Sequence, residues 1–344
     1  MKRILNVLHQ SDDNYSKICY MSIMSLLDNN THLDEINIYY VGYKITKANI
    51  QKLESLGRQY RNCNFYYING DKYHKELKTI SVRSWRGLYI TWMKLLAIND
   101  IKLNTDRILY LNAHTIVTSS LDNLLDFDFK GKLLGLSYDC LINDHKETIG
   151  LNYNSKYYNC GVMLINYKKW ISDNVNQYVI DKLKEKNDYV IVDQDFCNDV
   201  FRDDIALLGV EYNYSSAYYG YDIKKLLKVN KLYNKEYFYS YDDIMSEYYS
   251  PKIIHSLFGI TGKPWERGNK HPNSYLWNKY KNKSPWKDDV YPRAKYNINW
   301  FLYDILPKTI FMKVYKYAVY NKYGKKKRNK VILFLDRFTP QKGT

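Results

Sequence analysis

Nowhere in this chain does an uninterrupted apolar run reach the ~18 residues that a membrane-crossing helix needs. Any membrane contact read from the sequence is therefore peripheral. The opening stretch, MKRILNVLHQSDDNY, holds a short apolar run broken by Asn6 and then by Ser11-Asp12-Asp13, so it does not read as a secretory signal. Cysteine is sparse. Cys19, Cys63, Cys140, Cys160 and Cys197 make an odd set with no CxxC pair. That pattern argues against a disulfide framework and a zinc ribbon, and fits a reducing compartment. No internal repeat is visible. There is no recognised nucleic-acid motif either, which places nucleic acid low among the partners that a basic chain invites. Acidic residues are missing locally: from Lys308 to Lys330 there are nine Lys or Arg and no Asp or Glu.

What is present describes a folded protein. Hydrophobic residues make up 45% and charged residues 26% of 344, a globular balance that excludes disorder as the default. The length suffices for one large core, or a core with an appendage. The formal charge of +16 favours an anionic partner: a nucleotide, nucleic acid or an anionic membrane.

The hydrophobic pattern alternates strand and helix through the first half. Arg3–His9 predicts a buried strand, stopped by an acidic turn in which Asp12 or Asp13 caps a helix over about Tyr15–Leu27. Glu35–Val41 and Asn64–Ile68 predict strands, Thr46–Tyr60 and about Leu88–Ile98 helices, and Arg107–Leu111 a strand ending at the polar turn Asn112-Ala113-His114. Such alternation implies an α/β fold with an open, largely parallel sheet, whose ligands sit beyond the carboxyl ends of the strands. Asp12–Tyr15 and Asn112–His114 both fall at such ends. The second half is less regular. Leu133–Tyr138, Gly161–Asn166, Ala206–Val210 and Lys252–Leu257 read as strands, Tyr167–Lys186 as one helix, and Asp193–Phe201 as another. Beyond about Lys270, prolines interrupt an alternation of aromatic and basic residues. The expected division is a catalytic domain over 1–270 and a basic, aromatic region over 271–344.

Five segments, in order, resemble glycosyltransferase family 8: SDDNY (11–15), TWMKL (91–95), RILYLNAHTIV (107–117), YYNCGVMLINYKKW (157–170) with VDQDFCN (192–198), and HSLFGITGKPW (255–265). The resemblance spans roughly residues 4–268. It implies a GT-A fold, Rossmann-like in its nucleotide half, and transfer of a hexose (galactose or glucose) from a UDP-sugar. Under it, Asp12, Asp13, Asn14 and Tyr15 serve the base and ribose, although by itself such a turn is a plain helix cap. Lys94 stands where the family has an arginine toward the donor sugar and phosphate, keeping the charge but not the planar fork. Asn112, Ala113, Asn159, Cys160, Gly161 and Gly259 line the nucleotide sugar. Lys263 contacts the leaving phosphate. Asp139, Asp193 and Gln194 are the catalytic group around the transferred sugar.

The chain departs from the family at one place. Strand RILYL normally ends in Asp-x-Asp, whose carboxylates hold Mn²⁺ or Mg²⁺. Here those positions are Asn112 and His114, while the third ligand is kept as His255. Two unit charges 4 Å apart interact by roughly 4 kcal/mol at an effective dielectric of 20, so losing both carboxylates weakens hard-cation binding severely. Three readings stay open. His114 and His255 bind a metal with Asn112; or Lys263 and Lys94, with a protonated His114, neutralise the phosphates directly; or the site is inactive and the chain binds a nucleotide sugar or partners another transferase. No carboxylate nucleophile is evident at Gln194, so the resemblance points to retaining, front-face substitution. Residues 298–338 suit an amphipathic segment on the anionic inner face of the plasma membrane, close to lipid-linked or surface glycan acceptors. The plainer reading of that tail is a helix packed on the catalytic domain.

Overall fold

A computed structural model describes residues 2–141, 143–257, 262–292 and 298–323. Among the described residues there are ten strands: β1 (Ile4–Asp12), β2 (Glu35–Tyr43), β3 (Cys63–Asn69), β4 (Arg107–Leu111), β5 (Thr115–Val117), β6 (Leu134–Tyr138), β7 (Tyr158–Asn166), β8 (Ile205–Leu207), β9 (Tyr214–Ser215) and β10 (Ile253–His255). Seven form one sheet in the order β3-β2-β1-β4-β7-β6-β8. All its pairings are parallel except those of β7, which runs against both β4 and β6. This is the α/β sheet that the alternation predicts, with one reversed strand.

Side chains alternate across the sheet with period two, and helices cover both faces. Leu5, Val7, Ile36, Ile38, Leu109, Leu111, Val162 and Leu164 face one layer, with Ile18 and Leu53 of the helices Asp13–Asn29 and Lys47–Gln59. Leu8, Val41, Ile108, Tyr110, Met163 and Ile165 face the other, with Leu95, Val179 and Phe196 of the helices Ile90–Ala97, Val175–Glu185 and Val192–Val200. Asp12 is the cap of the first helix and accepts from Tyr15 N at 2.9 Å.

Several elements differ from the sequence reading. The helix expected over 167–186 is two, Tyr167–Ser172 and Val175–Glu185. The break falls at Asn174, whose φ of 50° is left-handed, a conformation asparagine tolerates. The helix Asp71–Ile80 had no assigned element. A second sheet, β5-β10-β9, was read only at β10, which lies within the predicted strand Lys252–Leu257; β5 and β9, of three and two residues, were not. It matters most for the site, since the antiparallel register pairs His255 with Thr115 and sets His255 beside the turn carrying His114.

Described residues beyond 270 pack on the body. Trp277 and Tyr280, from the helix Ser274–Lys283, and then Trp286 and Tyr291, are buried in the layer of the helix Asp13–Asn29. Tyr20 meets Trp286 edge-on at 5.3 Å. The helices Ile298–Ile305 and Lys308–Tyr323 follow, the second burying Phe311 and Met312 against Tyr221 and Val229. The rest of the basic stretch, 324–344, lies outside the described residues. Among the described residues no helix is long and apolar enough to cross a membrane. Because Trp277 is 1% exposed, Trp277→Ala is expected to lower stability by about 3–5 kcal/mol, measured by urea denaturation. A loss under about 1 kcal/mol would show that this segment is not part of the core.

Candidate active site

Beyond the carboxyl ends of β1 and β4 lies a cavity of about 380 Å³. Each wall comes from a distant part of the chain. Asp12 and Tyr15 stand at the end of β1, Lys94 on the helix Ile90–Ala97, Asn112, Ala113 and His114 on the turn after β4, and Asn159, Cys160 and Gly161 on β7. Asp193 and Gln194 open the helix Val192–Val200, His255 ends β10, and Lys263 lies past it. Thirteen sequence-selected residues thus share one cavity. Three others do not line it, and a fourth lies outside the described residues. Asp13 accepts from Thr46 N, Thr46 Oγ1 and Asn49 Nδ2, joining two helices, and Asn14 is exposed. Asp139 stands behind the wall, and Gly259 lies outside the described residues.

Lys94 is not an available counter-charge. It is 2% exposed, and its ammonium forms an ion pair with Asp193 Oδ2, donates to Thr91 O at 2.8 Å and faces the Tyr110 ring at 4.6 Å. Burial disfavours the ammonium, but Asp193 outweighs it and holds the lysine above its ordinary pKa. The expectation that Lys94 neutralises a phosphate is therefore corrected: its charge is already matched.

Asn112 and the histidines sit in a chain of hydrogen bonds. Tyr110 OH donates to Asn112 Oδ1 at 2.8 Å, and Asn112 Nδ2 faces His255 Nε2 at 3.4 Å. Asn213 Nδ2 donates to Asn159 Oδ1 at 2.9 Å, which leaves Asn213 Oδ1 to accept from His255 Nδ1 at 2.9 Å. This network assigns the His255 proton to Nδ1. The ring lies against Gly161, where a Cβ would come within 2.0 Å of it, so only glycine leaves room. His114 stacks on His255 at 4.8 Å and 11°. Burial, with Lys263 adding to it, pushes His114 down to about 4, and burial also pushes His255 well down. Both rings are neutral near pH 7, which corrects the expectation of a protonated His114.

Set against Mn²⁺ or Mg²⁺, these donors do not fit. The three positions supply no carboxylate, whereas hard cations select anionic oxygen. The Asn112 oxygen is engaged by Tyr110. Among the described residues no group of three or more His, Cys, Asp or Glu is placed to hold a metal.

At the other end, Gln194 is fixed from both sides. Its Nε2 donates to Asp139 Oδ2 at 3.0 Å and to Tyr157 OH at 3.1 Å, and its Oε1 accepts from Cys160 N at 3.3 Å. Asp139 also accepts from Asn159 Nδ2 at 2.5 Å and Leu141 N at 2.7 Å, while burial pushes its carboxyl upward. Behind these, buried Asp195 takes bonds from His145, Tyr157 and Ile191 N, tying down the Asp193-Gln194-Asp195 turn.

Sequence reasoning assigned no role to Tyr110, Tyr157, His145 or Asn213. Tyr157 lay within a quoted segment, but nothing local marks Asn213. It also missed the wall formed by Trp85 and Arg86, in a tight turn where Arg86 (φ 53°) and Gly87 (φ 81°) are both left-handed. The signal there was a Gly-containing pair between Trp85 and Leu88.

A seven-stranded α/β sheet with one reversed strand, carrying a cavity beyond its strand ends, defines the GT-A fold. The chain belongs to glycosyltransferase family 8, whose family model, Glycosyl transferase family 8, matches residues 6–269. It is similar to the lipopolysaccharide 1,2-glucosyltransferase of Escherichia coli K12, 29% identical over 296 residues, covering 85% of this chain and 81% of that protein. It is also similar to the lipopolysaccharide 1,3-galactosyltransferase of Salmonella typhimurium LT2, 24% identical, covering 82% and 79%. Among solved structures it is similar in fold to the galactosyltransferase LgtC, crystallised with donor and acceptor sugar analogs. The TM-score is 0.65 at 21% identity, over 82% of this chain and 96% of that one.

Removing one partner of the buried pair should be costly. Asp193→Ala leaves a lysine ammonium buried and unmatched, with an expected loss of about 3–5 kcal/mol in urea denaturation. The double variant Lys94→Met/Asp193→Leu should recover most of it. Equal losses in both variants would mean that packing, not the pairing of charge, accounts for the effect.

Proposed function

We propose that this chain transfers galactose or glucose from a UDP-sugar to a lipid-linked or surface glycan, with retention of anomeric configuration. One observation carries the reading: a single cavity is lined both by the basic Lys263 and by the polar side chains of Asp193, Gln194 and Asn159. The hexosyltransferase names of the similar proteins support it. In this reading Asp12 and Tyr15 hold the nucleoside, Asn112, Ala113 and Lys263 the diphosphate, and Asn159, Cys160, Gly161 and Asp193 the sugar.

The chemistry follows from what the sugar end offers. Gln194 presents an amide, a poor nucleophile, and the Asp139 carboxylate is held by Asn159, Gln194 and Leu141 N. Substitution therefore proceeds on the face that UDP leaves. The bond from the anomeric carbon to the phosphate oxygen breaks, the acceptor oxygen forms the new bond on the same face, and the acceptor proton passes to the departing phosphate. The fixed Gln194 oxygen and the Asp193 carboxylate position and stabilise the cationic sugar between these events.

A donor screen tests this. UDP release should exceed the blank with UDP-galactose or UDP-glucose, and Gln194→Ala should lower kcat by about 10²-fold with the fold retained. Tight binding of a UDP-sugar with no release from any donor would instead make the chain a non-catalytic member that partners another transferase.

The tail supplies the second part of the proposal, attachment to the inner face of the plasma membrane. Its described helices expose Phe301, Ile305, Ile310, Val314 and Tyr317. The full chain should sediment with anionic but not zwitterionic vesicles. Replacing Lys325, Lys326, Lys327 and Arg328 with glutamine should weaken this at least about tenfold, since each basic residue near such a surface contributes about 1 kcal/mol. Binding indifferent to lipid charge and to these changes would sink it.

A further inference from the structure

We propose, resting on the nucleotide-sugar reading above, that this pocket takes the diphosphate of its donor without a divalent cation, with Lys263, Ser256 and His114 in the cation's place. The first ground is geometric. The rings of His114 and His255 stack on one another, their centroids 4.8 Å apart and their planes 11° from parallel. His255 is bound at both nitrogens, to Asn213 and Asn112, and the Asn112 oxygen is bound to Tyr110. To coordinate an ion these groups would have to break bonds that already satisfy them.

The carboxylates around the cavity offer no substitute ligand set. Asp193 is paired with Lys94, Asp139 is held behind the wall by Asn159 and Gln194, and Asp12 caps the first helix. A metal would meet neutral amides and imidazoles, whereas a diphosphate meets donors.

Those donors form the second ground. The Lys263 ammonium lies 2.8 Å from Tyr15 OH and over the rings of Tyr15 and Trp265, at 5.3 and 5.4 Å, so it is held at the cavity. Ser256 is 5% exposed and is one of the residues lining the cavity, and among the described residues neither its hydroxyl nor the buried Nδ1 of His114 has a hydrogen-bond partner. The two residues are joined through Ser256 N and His114 O at 2.9 Å, so both unpartnered atoms belong to one wall. Buried polar atoms without partners are costly, and these two belong to residues that line one cavity, where a ligand can supply the missing bonds. A phosphate oxygen accepts from the serine hydroxyl and from the ammonium with charge assistance.

The test is titration calorimetry of UDP into the full-length chain, in EDTA and then in MnCl₂ or MgCl₂. The dissociation constants should agree within about threefold, Lys263→Met should weaken binding by about tenfold or more, and Ser256→Ala by about threefold, in either buffer. The double variant Asn112→Asp/His114→Asp should acquire a metal response of at least about tenfold that the parent lacks. Tightening of the parent by more than about threefold on adding metal, reversed by EDTA, overturns the proposal and leaves the UDP-sugar reading intact. So does metal-indifferent binding that ignores both the Lys263 and the Ser256 changes. UDP that binds in neither buffer overturns the UDP-sugar reading, and this proposal with it.

Discussion

A lysine ammonium held inside the protein against one carboxylate fixes the geometry of the site. Lys94 and Asp193 lie 99 residues apart, on two helices that share no local contact in sequence. Neither charge is tolerable alone at that depth, so the fold that buries one must deliver the other. The pairing reaches the sheet as well: Lys94 N donates to Gln10 Oε1 at 2.8 Å, and Gln10 Nε2 donates to Tyr110 OH at 2.9 Å. The central strands β1 and β4 are thereby locked to the helix whose second residue is Asp193 and third is Gln194. A catalytic amide needs placement more than it needs chemistry, and it inherits that placement from a neighbouring ion pair.

From Tyr110 the hydrogen bonds run in a single sense. Tyr110 donates to Asn112, Asn112 to His255, His255 to Asn213, Asn213 to Asn159, and Asn159 to Asp139. Each amide accepts with its oxygen and donates with its nitrogen, so the sequence has a direction, and a carboxylate that only accepts must end it. The consequence falls on residue 112. A carboxylate there would set an acceptor against the lone pair of His255 Nε2. The ring would have to shift its proton from Nδ1, and Asn213 would then face it with the wrong atom. The asparagine is therefore part of a connected arrangement, in which the loss of anionic ligands and the orientation of four other side chains go together.

How much of this was legible in the sequence depends on the range of each cause. The strands β1, β2, β4 and β6 were readable, because a strand buried on both faces leaves a short, nearly continuous apolar run as its local mark. So was the Asp12 cap, an acid placed where a helix needs an acceptor. The break at Asn174 was not, because asparagine permits a left-handed residue without requiring one. Nor was the small sheet beyond β10: β5 and β9, of three and two residues, carry no periodicity, and Ile253–His255 pairs with a segment about 140 positions earlier. Family motifs placed Asn112, His114, His255, Gln194 and Lys263 around one cavity. They did not disclose that Lys94 is neutralised or that Asn213 sets the His255 tautomer, since both depend on partners that only the folded chain brings near.

The same distinction between local and long-range cause bears on the tail. Alternation of aromatic and basic residues suggested two outcomes, a helix lying on a membrane or one packed on the protein, as though each excluded the other. The helix Lys308–Tyr323 has room for both. Phe311 and Met312 point inward, while Ile310, Val314 and Tyr317, spaced by four and three residues, form an exposed stripe with Lys313 beside it. A helix already ordered by its inner face loses little conformational freedom when its outer face meets a surface. Its lysine can extend an apolar stem along that surface and keep the charge among headgroups. Docking on the body would then be the condition that presents the stripe, and the proposed membrane contact needs no segment that folds only on arrival.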